Sequence, residues 1–260
     1  MTASRTRTPI ARRVVQVMGM PVSLALRGRH TNDVAADSAW IAVVASLRET
    51  DLVFSTYRPD SYVSRLSRGE IELADCPPEV AEVFHLGAAA QVASTGAFSI
   101  RRPAADGGTV LDPSGVVKGW AVERAATILG ELHDTDYCLS AGGDLTCRTL
   151  DPGAEPWRIG IEDPHDPSRL IAVVPLRDGA VATSGTAHRG KHLVDARTGR
   201  PPALVASVTV VATSLTWADI DATAAYALGQ DAAEWLRTRP GRSGPVVWQD
   251  GSTSVVGDPA

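Results

Sequence analysis

The chain has 260 residues, a formal net charge of −5 and 44% hydrophobic residues, which is apolar enough to fill a core and argues against a disordered chain. Acids and bases are dispersed, with no basic block to follow a phosphate backbone, so nucleic acid is not expected as a partner. No uncharged stretch approaches the ~20 apolar residues of a membrane-spanning helix, and Cys76, Cys138 and Cys147, odd in number and without zinc-site spacing, read as reduced packing thiols of a cytoplasmic protein.

The basic opening MTASRTRTPIARRVV, followed by the apolar VQVMGMPVSLAL, has the outline of a secretory signal. Gln16, Gly19, Pro21 and Ser23 interrupt the apolar run, however, and no small-residue cleavage site follows. Arg12-Arg13 is only a weak likeness to a twin-arginine signal. The expectation is a flexible arm over residues 1–13 and one domain over 14–260 that opens with a strand pair. Trp40, Ile41, Val44 and Leu47 recur at helical spacing behind the capping candidates Thr31 to Asp33 and predict an amphipathic helix over 33–50. Residues 54–69 read as the exit of that helix and a short helix capped by Asp60 or Ser61. Val80, Val83, Phe84 and Gly87 predict a helix over 78–95. VLDPSGVVKGWAVERAATIL, 110–129, reads as a strand, a turn and a helix following Lys118, with Ala121, Ala125, Ile128, Leu129 and Leu132 on one face.

From Tyr137 the texture changes to short β-rich pieces parted by Gly, Pro and Asp: YCLS, DLTCR, WRIGI, LIAVVPL, AVATS, HLVD and LVASVTVVA. Helices over 217–228 and 232–237 and a strand near 246–248 complete the chain. Early helices and late strands predict an α+β fold with a mostly antiparallel sheet and packed helices rather than a βαβ repeat.

Several segments place Gly and polar residues where an element begins or ends, the positions at which loops carry chemistry on a rigid frame. QVMGMP (16–21) is the first and FSTYRPDSYVSRLSRG (54–69), with Ser55, Thr56 and Tyr57, the second. In the third, small residues before the 110–129 helix leave N–H groups free, and with Lys118 nearby they can receive an anion such as a pyrophosphate. A lysine in the first turn of a surface helix is the alternative. In LSAGGDLTC, Gly142-Gly143 lets a backbone approach a ligand and Asp144 can accept from a sugar hydroxyl or base amine, although a plain hairpin turn explains the same letters. AVATSGTAHRGKHLVDARTGRP, 180–201, holds His188, His192 and Asp195; the last two are three residues apart and need a loop or bulge to cooperate. Finally, TWADIDATAAYALG, 216–229, puts Asp219 and Thr223 one helical turn apart in an Ala-rich apolar helix. Either Asp219 caps that helix and Thr223 bonds back to a carbonyl, or the two share an edge that holds a ligand.

Together and in this order these segments resemble the FAD:protein FMN transferases, the ApbE family, over roughly residues 15–229. The likeness rests on Met18-Gly19 at an MGT-like start, Ser55 to Tyr57 (STY), Gly96 to Phe98 (GAF), Leu111, Asp112, Lys118 and Gly119 (LD…KG), and Gly142 to Asp144 (GGD). It continues through Thr183 to Gly185 (TSG), His192, Asp195, Thr198 and Gly199 (H..D..TG), and Ala218, Asp219 and Thr223 (AD…T). No single motif is specific; eight in register are.

The resemblance implies a T-fold-like ApbE architecture, FAD as substrate and Mg as cofactor. The implied reaction moves the FMN half of FAD to a Ser or Thr hydroxyl of an acceptor flavoprotein and releases AMP. Attack on a pyrophosphate phosphorus builds charge on nonbridging oxygens, which a hard, oxygen-liganded cation stabilises. By resemblance, Asp219, Thr223 and the carbonyl of Gly115 hold the metal. Met18, Tyr57, Ala97 and Phe98 wall the flavin or adenine, and Asp112 and Lys118 meet the ribityl-pyrophosphate region. Gly142, Gly143, Asp144, Ser184, Asp195 and the backbone at Leu193 complete the cofactor contacts, and His192 is the implied general base. The chain departs from the pattern at Ser99, which takes the place of a cofactor-contacting aspartate and weakens the grip on FAD. It departs also at Met20 for threonine, Ala196 for proline, and Ala222 where some members carry a further acidic metal ligand. An FAD pyrophosphatase giving FMN and AMP and a non-catalytic FAD-binding protein are the alternatives. The lack of the family's usual export signal points to a cytoplasmic acceptor.

Overall fold

The computed structural model describes residues 9–103, 108–185 and 193–257. It opens with β1 (Ala11–Val17) and β2 (Met20–Gly28), a hairpin closed by Met18 and Gly19 at φ 54° and 69°, the left-handed pair that a tight hairpin turn requires. Arg12 and Arg13 lie within β1, and Arg13 donates to Asp37 Oδ1 at 2.6 Å and to the Thr31 carbonyl at 2.9 Å. The boundary expected at residue 13 therefore moves to before Ala11.

α1 (Val34–Phe54) is capped by Asp33, whose carboxylate accepts from the Ala36 N–H at 2.9 Å. α2 (Tyr62–Ser67) is capped by Ser61, which prevails over Asp60 by accepting from the Ser64 N–H. α3 (Pro78–Ala93) begins on a proline, tolerated in a first turn that needs no N–H. A hairpin of β3 (Arg101–Pro103) and β4 (Thr109–Leu111) then leads into α4 (Ser114–Leu129). Because α4 starts at Ser114, Lys118 sits in its second turn rather than at its beginning.

The second half runs through β5 (Thr135–Ala141), β6 (Asp144–Arg148), β7 (Trp157–Asp163), β8 (Asp166–Leu176), β9 (Asp178–Gly185) and β10 (Val205–Ala212). It closes with α5 (Leu215–Leu228), α6 (Ala232–Arg237), β11 (Gly244–Trp248) and β12 (Thr253–Val256). Eight strands form one sheet in the order β1-β2-β5-β6-β9-β10-β11-β12, and each neighbouring pair is antiparallel. The α+β expectation holds. The HLVD strand does not form over its described residues: Leu193 and Val194 are irregular, and Asp195 turns back on itself, its carbonyl accepting from the Thr198 and Gly199 N–H groups.

Strand alternation sorts the sheet's side chains into two cores. Val22, Leu24 and Leu26, Leu139 and Ala141, Ala180 and Ala182, and Val208 and Val210 point to one face, where α1, α4 and α5 cover them and α3 packs on α4 and α5. Ala25, Leu145, Cys147, Val181 and Val211 point to the other, which the β7–β8 hairpin covers with Trp157, Ile161 and Leu176. β10 is buried along its whole length, as a central strand coated on both sides must be.

Two polar clamps set the position of α5. Glu123 of α4 accepts from Ser214 Oγ (2.9 Å), the Leu215 N–H (3.2 Å), the Thr216 N–H (3.0 Å) and Thr216 Oγ1, so one carboxylate satisfies the first turn of a neighbouring helix. Replacing Glu123 by alanine leaves those donors in a half-buried place and is expected to cost about 1–3 kcal/mol, read as a lower urea midpoint at unchanged slope. At the second clamp, fully buried Asp221 pairs with Arg242 at 2.6 Å and Arg239 at 3.1 Å, and the Arg239 guanidinium lies over the rings of Trp217 and Trp235.

Candidate active site

Where α4 crosses α5, α4 presents Gly115 and Gly119 and α5 presents Asp219 and Thr223. A β-carbon on Gly119 would lie 2.7 Å from the Leu215 carbonyl oxygen and 2.8 Å from Asp219 Cβ; one on Gly115 would lie 2.9 Å from the Phe98 ring and 3.7 Å from Thr223 Cγ2. Both pairs are spaced by four residues, so a bare edge of one helix receives a polar edge of the other. Gly119→Ala has no room and is expected to cost ~1–3 kcal/mol, lowering the melting temperature and displacing the Asp219 carboxylate.

Asp219 is 2% exposed. Its Oδ2 accepts from the Gly119 N–H at 2.9 Å and its Oδ1 lies 3.2 Å from Lys118 Nζ. The helix cap, the alternative role for Asp219, belongs to Ser214, which accepts from the Trp217 N–H. In a regular helix the Gly119 N–H points at the carbonyl of Gly115. Asp219 shares that donor, and a carbonyl such as that of Gly115 has a second lone pair beyond its helical bond. Thr223 does not simply bond back along its own helix, since its Oγ1 lies 3.1 Å from Ser184 Oγ on β9.

Lys118 also reaches β6, where its ammonium meets Asp144 Oδ2. Asp144 Oδ1 accepts from the Thr183 N–H of β9 at 2.9 Å. Helix α4, helix α5 and two central strands are thus joined through two carboxylates and one ammonium, a cluster of formal charge −1 when both carboxylates are ionised. Burial pushes the Asp219 carboxyl above the usual carboxylate range, against the pull of Lys118. Burial also works against the charge on Lys118, but Asp219 and Asp144 outweigh it and hold the ammonium above its ordinary range.

This donor set fits a hard divalent cation. A carboxylate, a hydroxyl and a main-chain carbonyl are all oxygen ligands, and the cluster has negative charge to spare. Among the described residues no group of three or more His, Cys, Asp and Glu side chains is placed to hold a metal.

The other expected contacts divide. Asp112 sits at the entrance to α4, where its Oδ1 accepts from the Ser114 N–H at 3.1 Å and its Oδ2 pairs with Arg102. Met18 packs partly buried against the main core from the β1–β2 turn, and Tyr57, 97% exposed just beyond α1, has a free ring face. Leu193 packs against the same core, and the Ala97 carbonyl accepts from the Ala196 N–H, tying the 94–98 turn to the 195–200 turn.

Four expectations need correction. Ala97 and Phe98 are buried, with the Phe98 ring laid against Gly115, so the ring is core and offers no wall for stacking. Gly142 and Gly143 form the exposed turn of the β5–β6 hairpin, at φ 57° and 100°. Asp144 behind them is committed to Lys118 and Thr183, not open to a sugar or base. Asp195 is held by Arg197 Nε and Nη2 at 2.9 and 2.7 Å within its own turn, which lowers its carboxyl pKa. The Ser99 hydroxyl likewise serves locally, accepting from the Arg101 N–H at 3.0 Å. His192 and His188 lie outside the described residues. Glu123, Arg102 and Arg197 had no sequence signal, Thr183 was marked only as part of TSG, and the four-residue spacing of Gly115 and Gly119 was a signal.

A family model described as the ApbE family matches residues 102–244. An FAD:protein FMN transferase of Salmonella typhimurium is 29% identical over 151 residues, 54% of this chain and 43% of that protein. One from Vibrio cholerae is 34% identical over 131 residues, 46% of this chain and 39% of that protein. The aligned part thus spans less than half the length of these curated relatives. Over nearly the whole chain the fold matches the ApbE protein of Thermotoga maritima, with TM-score 0.82 at 22% identity, covering 95% of this chain and 97% of that one. The apo flavinyl transferase ApbE of Pseudomonas stutzeri superposes with TM-score 0.80 at 23% identity, covering 96% of both. A family match across more than half of the sequence, centred on the α4–α5 crossing and the strands beneath it, establishes that the chain belongs to the ApbE family.

Proposed function

We propose that the protein transfers the FMN half of FAD to a Ser or Thr hydroxyl of an acceptor flavoprotein and releases AMP. The observation that carries this reading is the α4–α5 crossing, where the Gly115–Gly119 edge of α4 meets Thr223 and Asp219 of α5, and Lys118 joins Asp219 to Asp144, two carboxylates against one ammonium. The activity of its relatives, FAD:protein FMN transferase, supports it. Mg held by Asp219, Thr223 and the Gly115 carbonyl would neutralise charge on the nonbridging oxygens of the diphosphate. Lys118 adds a second positive charge to that side of the site, and Asp112 with Arg102 marks the entrance to α4. Met18, Tyr57 and the backbone at Leu193 remain the proposed frame for the flavin and adenine, with Ser184 reaching the metal position through Thr223.

The acceptor hydroxyl oxygen attacks the phosphorus of the FMN half. The bond from that phosphorus to the bridging oxygen breaks, and AMP leaves with the electron pair. His192 is proposed to take the hydroxyl proton. The three unpaired thiols support a reducing compartment, and we place the reaction in the cytoplasm. Among the described residues no helix is long and apolar enough to cross a membrane.

The test is co-expression with candidate acceptor flavoproteins followed by intact-mass measurement, together with AMP release from FAD and Mg in vitro. An FMN-sized increment on an acceptor, with AMP formed only when acceptor is present, is the expected result. Rapid AMP release without acceptor would establish a pyrophosphatase instead. FAD binding with no AMP under any metal or acceptor condition would establish a binding protein.

A further inference from the structure

The ammonium of Lys118 stands against the one carboxylate that the proposed metal needs, which on its face makes it a competitor for that ion. Its Nζ is 3.2 Å from Asp219 Oδ1 and also contacts Asp144 Oδ2. The two carboxylates differ in freedom. Asp144 is buried in the sheet, and its second oxygen is fixed by the Thr183 N–H, whereas the Lys118 side chain keeps 18% exposure on a flexible four-carbon stem. The lysine can therefore shift its weight from one carboxylate to the other with no backbone movement.

Resting on the metal reading above, we propose that Lys118 is the built-in counter-ion of the metal position and that Asp144 is the positioning residue that receives it. Without a divalent ion the ammonium bridges Asp219 and Asp144. When a divalent ion engages Asp219, like charges a few ångströms apart repel, and the ammonium withdraws onto Asp144. The arrangement half compensates a buried pair of carboxylates in the empty protein and retains a cation at the site once it is loaded.

The test uses Mn²⁺ alone, titrated into the full chain without FAD and followed by electron paramagnetic resonance or calorimetry. Lys118→Met and Lys118→Gln are expected to bind Mn²⁺ at least about tenfold more tightly than the native protein, and Asp144→Asn at least about tenfold more weakly, because the lysine then rests wholly on Asp219. Lys118→Arg should stay close to native. In the Lys118→Met background the Asp144→Asn effect should shrink, since the residue it acts through is gone; a loss that persists in full would make Asp144 a direct ligand and overturn its positioning role. Unchanged or weaker Mn²⁺ binding in both Lys118 variants, including no binding by any form, overturns the counter-ion role. Asp219→Asn separates the two readings. If it still binds Mn²⁺ like the native protein, the metal assignment itself fails. If it loses binding while the Lys118 variants do not tighten, only the present inference fails. Circular dichroism and melting curves verify that each variant is folded.

Discussion

Asp219→Asn is expected to lower FMN transfer at least about a thousandfold, which corresponds to about 4 kcal/mol at 1.36 kcal/mol per decade of rate. Asparagine keeps an oxygen to accept from the Gly119 N–H, so the helix crossing and the melting temperature should survive. What it removes is the formal charge, and with it the cluster's excess of negative over positive. The measurement is AMP release and acceptor labelling over a range of Mg concentrations. The loss should not be recovered at saturating Mg if the carboxylate also orients the ion. A fall of less than tenfold would exclude Asp219 as the principal ligand.

The second large effect lies away from the chemistry. Asp221→Ala removes the anion shared by Arg239 and Arg242, which approach it at 3.1 and 2.6 Å. Both guanidiniums keep some solvent contact, so the expected loss is near the lower end for a broken buried pair, about 3 kcal/mol. For a chain of this size that is a fall in Tm of about 6–12 °C. Differential scanning calorimetry reads it directly. Because Asp221 points to the opposite side of α5 from the Lys118 cluster, folded Asp221→Ala protein at low temperature should retain its response to Mn²⁺.

These two aspartates, two residues apart on one helix, show what sequence reasoning reaches and what it does not. Helical spacing located α1, α3 and α5 because periodic apolar positions are a local property, and Ser61 and Asp33 cap where hydroxyl and carboxylate letters precede a periodic run. The α+β layering followed from the same periodicities. β3 and β12 are too short to carry a pattern, and HLVD reads as a strand only until the Asp195 turn closes on itself. Within the site, Asp219 and Thr223 were legible as a pair because four residues make a helical edge, and the family likeness supplied the proposed carbonyl partner. The union of Lys118 with Asp144 spans a helix and a strand, and Asp221 with Arg239 and Arg242 spans a helix and a loop. No local signal marks either, since both depend on how layers stack. Phe98 was misplaced for the same reason: an aromatic letter beside a motif does not reveal whether its ring lines a cleft or plugs the core.

The grip of Glu123 on residues 214–216 has a mechanical outcome. One carboxylate fastens the start of α5 to the middle of α4, and a turn away Asp219 fastens to Gly119, so the two helices share a pair of rivets and turn as a single lever. Under the proposed function, admission of a large dinucleotide would fall to the surrounding turns, and the Asp219–Thr223 edge would keep its shape from one round to the next.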